Sequence, residues 1–156
     1  MDRLSALMLR ASLVWLAAGA VLGGIMLNDR LIPGAWTSAF LPAHVHMLLV
    51  GWLLQFALAV AIWLLPRRRS PQRPLGYDER PVAAAAVAVN LGLVLRIVAE
   101  PLERLGRASA GTSAALAVSG ILQVAAILLF VVHLWPRAAP RKPTPPAAKA
   151  AEGPTP

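Results

Sequence analysis

The chain contains no cysteine. Disulfide frameworks, thiolate metal sites and redox dithiols are therefore excluded. Charge is scarce as well: 14% of the 156 residues, against roughly a quarter in a soluble domain. No aspartate falls within any long apolar stretch. That weakens a transporter or metal-handling reading, since intramembrane carboxylates mark ion and proton pathways. What fills the chain instead is hydrocarbon, with 58% hydrophobic residues and a mean hydropathy of +0.64. Such a chain belongs in a membrane.

Four apolar runs carry most of this composition, at about 7–27, 43–65, 82–102 and 112–135. Each is near the roughly 20 residues that cross a bilayer as a helix. The expectation is an all-α fold, a four-transmembrane-helix bundle over 1–136. The tail 137–156, "RAAPRKPTPPAAKAAEGPTP", is rich in Pro and Ala, lacks an apolar face and reads as disordered. "NDRLIPGAWTSAFLP" reads as a turn-rich loop, with Pro42 opening the second span at a first-turn position. "MDRLSALMLR" with "AAGA" has features of a signal peptide. The run is long for one, however, and the following segment continues the bundle, so it is read as a span.

The formal net charge of +8 would suggest nucleic acid in a soluble protein. Here the arginines lie in loops and tail, where they set orientation. The N-terminus, the "RRRSPQRPLGYDER" loop and the tail hold 11 of the 15 basic residues. This distribution places both termini in the cytoplasm of a cell (inner) membrane and puts His44 and His46 on the outer side. No nucleic-acid partner is expected; the lipid bilayer is.

The costly residues are the ionisable ones inside spans: His44, His46, Arg96 and Glu100. With spans two and three antiparallel, all four fall in one outer layer. His44 and His46 are two apart and point about 200° away from each other on a regular helix. His44 shares a stripe with Leu48, Gly51 and Gln55, a face suited to close packing against something other than lipid. That makes His44 the first candidate ligand and His46 the second. Arg96 and Glu100, four apart, can pair along their helix; Arg96 can equally offer its fork to an outside carboxylate. Two readings follow: an internal ion pair with histidines reaching outward, or a cofactor or ligand site. His133, in "HLWPR", lies at the opposite membrane face and reads as an interfacial anchor. Asn90 and Gln123 read as helix–helix hydrogen-bonding residues, and "GAVLGG" as a close-packing stripe.

The stretch "AHVHMLLVGWLLQFALAVAIWLLPR" resembles the second-helix region of heme-copper oxidase catalytic subunits. It is most similar to their nitric oxide reductase branch and to short four-helix relatives of subunit I, with "NLGLVLRIVAEPL" and "WPR" adding to the likeness. The resemblance implies an axial histidine for a heme on the outer side. That role falls on His44 or His46 without choosing between them, with Arg96 as a counterpart for the propionates. The large subunits carry about twelve spans and further histidines, which this chain lacks. Oxygen or nitric oxide reduction by this chain alone is not expected.

Two functions follow from the sequence. One is a small heme-binding electron-transfer or gas-binding module, five-coordinate or bis-histidine across a homodimer. The alternative is a non-catalytic accessory or assembly subunit of a larger respiratory or denitrification complex, without its own cofactor.

Overall fold

In the computed structural model, residues 1–28, 34–66, 71 and 75–139 are described. Most of the expected basic loop (67–70 and 72–74) and the tail from position 140 lie outside the described residues. Helix α1 spans Arg3–Met26. It starts where the Asp2 carboxylate accepts the Ser5 N–H at 2.8 Å, meeting one of the orphan donors of the first turn.

The second span is continuous over Trp36–Leu64. It comprises α2 (Gly34–His46), a π-helical segment (Met47–Leu54) and α3 (Gln55–Leu64). The helix therefore begins well before Ala43, and the stretch read as a loop up to Pro42 is helical from Gly34. Pro42 stands inside it. In an apolar run the backbone has no water to bond, so the helix persists through a proline that would break it elsewhere.

The π segment has a visible consequence. Ala39, Ala43, Met47, Gly51, Gln55 and Ala59 are all buried, at strict four-residue intervals. On an α-helix each such step overshoots a full turn by about 40°. The wider π turns wind less per residue and return the row to the interior.

Helix α4 (Glu79–Arg104) is capped by Asp78, which accepts the Arg80 N–H at 3.1 Å. It closes at Gly106, whose φ of 75° only glycine adopts without strain. There the Arg107 N–H reaches the Leu102 carbonyl at 2.9 Å and the Gly106 N–H that of Glu103 at 3.0 Å, a two-bond C-cap. Helix α5 (Ala110–Ala138) opens with a reciprocal Ser109–Thr112 capping box. The Glu103 carboxylate accepts Ser113 Oγ at 2.7 Å and Thr112 Oγ1 at 3.1 Å, pinning the α4–α5 hairpin. The helix also runs through Pro136, so Arg137, expected in the tail, is helical.

Among the described residues there is no strand, and the fold is a four-helix membrane bundle. Helix α1 packs on the π segment and α3, α2 packs on α4, and α4 on α5. The core gathers Met8, Ala59, Ile62, Val82, Val89 and Phe130. Facing outward are Leu7, Val14 and Val21 on α1 and Ile121, Val124 and Leu128 on α5, all exposed. Continuous apolar faces of this extent require lipid rather than water. The chain is a multi-pass membrane protein.

Candidate functional site

His44 occupies the last turn of α2 and turns its ring onto α1. Its Nδ1 lies 2.9 Å from the Gly19 carbonyl oxygen. A carbonyl only accepts, so Nδ1 carries the proton and Nε2 keeps the lone pair. The ring fits because α1 offers glycine there. A Cβ on Gly23 would stand 2.6 Å from the ring Cε1, and one on Gly19 would stand 2.7 Å from Leu48 Cδ2. The "GAVLGG" spacing thus has a definite purpose, since Gly19 receives Leu48 and Gly23 receives His44. His44, Leu48, Gly51 and Gln55 all meet α1, as their shared stripe predicts.

His46 behaves differently. Its Nδ1 lies 2.8 Å from the Pro42 carbonyl, one turn back on its own helix. The helix is α-form through His46 and departs from it only at Met47. The two rings therefore diverge, one held by a neighbouring helix and one by its own.

On α4, Arg96 Nε donates to Glu100 Oε2 at 3.1 Å, and Arg104 Nη2 lies 3.6 Å from Glu100 Oε1. One carboxylate, 13% exposed, is flanked by two guanidiniums on a single helix face. Pairs at this spacing contribute only about 0.3–0.5 kcal/mol each when exposed. Depth follows from Gly51, where an added Cβ would come within 2.7 Å of Leu93 Cδ2. Seven residues from that crossing, on antiparallel spans, stand His44 and Glu100. They occupy the same layer of the bundle. Among the described residues, neither histidine bonds Arg96 or Glu100, and no group of three His, Cys, Asp or Glu side chains is placed to hold a metal ion.

Deeper in the bundle a polar network joins three spans. Trp15 Nε1 donates to Asn90 Oδ1 at 2.8 Å. The Asn90 amide donates to Gln55 Oε1 at 3.0 Å and to the Ala86 carbonyl at 2.8 Å. Gln55 Nε2 donates to the Met8 carbonyl at 3.1 Å. Asn90 thus bonds between helices, as its sequence context predicts, whereas the Gln123 amide nitrogen is buried without a hydrogen-bond partner. Trp15 was not legible as a partner, because an indole in an apolar run is equally at home facing lipid.

At the opposite end lies a residue that sequence reasoning missed. Pro66 has no N–H to offer the Ile62 carbonyl one turn back. Arg137 supplies the donor instead. Its Nη2 lies 2.8 Å from both the Ile62 and Leu65 carbonyls, and its Nε lies 3.3 Å from that of Pro66. The guanidinium sits 5.4 Å from the centre of the Tyr77 ring, within cation–π range. His133 meets the same ring edge-on at 5.6 Å. The available signal was a proline ending one span and an arginine just past Pro136 on another. Compared with protein-family models, curated proteins and solved structures, the chain matches none.

Proposed function

We propose that this chain is a small membrane module that holds a heme at its outer side, with His44 as axial ligand. The single observation supporting this is the bond from His44 Nδ1 to the Gly19 carbonyl. A ligating imidazole normally has its second nitrogen fixed in this way, which sets the tautomer and raises the basicity of Nε2. The donor chemistry therefore fits an iron ligand. Heme iron, when bound, carries one electron or takes a diatomic gas at an open position. The chain's own part is to hold the His44 ring rigid between α2 and α1. Arg96, braced by Glu100 in the same layer, would face the carboxylates of the group. His46 is the alternative ligand, and a homodimer would supply a second histidine. The likeness to heme-copper oxidase subunits rests on the "HVH…GW…Q…W…PR" pattern alone.

A second reading is favoured by a different observation. Arg96, Glu100, Asn90 and Gln55 all find partners within the chain, as expected of an accessory or assembly subunit whose polar residues only fix helix register. A reduced-minus-oxidised visible spectrum of protein purified after expression with ample heme separates the two. A heme band lost in His44→Ala and kept in His133→Ala is the expected result. Loss in His46→Ala alone would transfer the role to His46. Absence of any band would sink the heme reading and leave the accessory one.

A further inference from the structure

At the end of the bundle remote from His44, a cavity of about 340 Å³ opens between the start of α4 and the end of α5. Its walls are of two kinds. Tyr77, His133 and Arg137 form a polar side, while Leu129, Val132 and Pro81 form an apolar one. The polar side is rigid and positive. Arg137 is only 6% exposed and is locked by three carbonyls and the Tyr77 ring. The N-terminus of α4, whose dipole is positive at that end, begins beside it at Glu79.

The apolar side leads toward lipid. Leu129 and Val132 are 41% and 71% exposed and belong to the outward face of α5. Leu129 lies eight residues before Arg137, about 12 Å deeper at the helical rise. A molecule in this cavity therefore meets a cation at the rim and hydrocarbon further in, the polarity order of a bilayer lipid. The flanking sequence adds Arg67, Arg68, Arg69, Arg73, Arg141 and Lys142 at the same end. Basic pockets between spans at such an end suit anionic headgroups.

We propose that this cavity binds an anionic phospholipid, its phosphate toward Arg137 and His133 and the first carbons of an acyl chain along Leu129 and Val132. The bound lipid braces the α4–α5 hairpin where Arg137 ties it to the end of α3. Inorganic phosphate shares the headgroup chemistry but has no use for the apolar wall. The proposal stands apart from the heme reading, whose residues lie at the other end.

The test is thermal unfolding of the delipidated full-length chain in detergent, titrated with phosphatidylglycerol, phosphatidylcholine or inorganic phosphate. Phosphatidylglycerol is expected to raise the melting temperature by several degrees, saturably, and the other two to leave it in place. Leu129→Trp, which fills the cavity, and His133→Glu, which puts a carboxylate in it, leave the Arg137 donors intact. Each should raise the half-saturating lipid concentration at least tenfold. Equal stabilisation of the parent chain by phosphatidylcholine overturns the proposal, as does a phosphatidylglycerol response unchanged in both variants. A response to inorganic phosphate that Leu129→Trp preserves and His133→Glu removes overturns the lipid in favour of a free anion. Native mass spectrometry of the parent chain should retain one phosphatidylglycerol in preference to phosphatidylcholine. Equal retention of the two lipids overturns the proposal without any variant having to fold.

Discussion

Arg137 shows how one side chain repairs a backbone defect created far away in sequence. Pro66 strips a donor from the end of α3, and the guanidinium fork reaches the orphaned Ile62 carbonyl and two neighbours at once. Hydrogen bonds from a charged donor contribute about 1.5–3 kcal/mol each, and a buried acceptor left unpaired costs about 1–3 kcal/mol. Arg137→Ala should therefore lower stability by about 2–4 kcal/mol, read as a fall in melting temperature in detergent. Arg137→Lys keeps the charge but cannot span the carbonyls, so it should recover less than half of the loss. Full recovery with lysine would mean that charge alone matters there. His44 is the counterpart at the other end, a ring bonded to a backbone carbonyl of another span.

At the scale of helices, close approach is set by where glycine stands. Gly51 lies at the crossing of three spans. An added Cβ would sit 2.6 Å from Trp15 Cγ and 2.7 Å from Leu93 Cδ2. Trp15 cannot simply swing aside, because its indole is bonded to Asn90. Gly51→Ala should therefore destabilise the bundle by about 1–3 kcal/mol through overpacking. Gly24→Ala is the control: it meets nothing within 4 Å and should change stability by no more than about 0.5 kcal/mol. Unfolding of both variants in detergent checks the pair, and equal melting temperatures would remove Gly51 as the contact that sets helix spacing.

For the whole molecule the open quantity is orientation across the bilayer. Basic residues concentrate at the end where α3 stops and α4 starts, with 11 of the 15 on the termini and the loop between them. Positive charge is retained on the cytoplasmic side. A cysteine at Asn28, between α1 and α2, should react with an impermeant maleimide added to intact cells. A cysteine at Pro71, between α3 and α4, should react only after permeabilisation. The reverse pattern would turn the bundle over and move His44 to the cytoplasmic side.

The sequence by itself determined the class, the four spans, the caps at Asp2, Asp78 and Ser109, and the Arg96–Glu100 pair. These depend on composition, helical periodicity and neighbours within four residues, all of which are visible in one dimension. It also placed His44 and Gln55 on one packed stripe. It could not say what they would bond to, because every residue offers a carbonyl and only the register between helices selects Gly19 and Met8. The helix through Pro42 and the π turns after His46 were likewise invisible. Local propensity argues against both, and they persist because burial of the Ala39–Ala59 row outweighs it. Arg137 was hidden for the same reason. Its partners lie more than 70 residues away, and only the folded bundle brings that arginine to the one span end whose proline left a carbonyl without a donor.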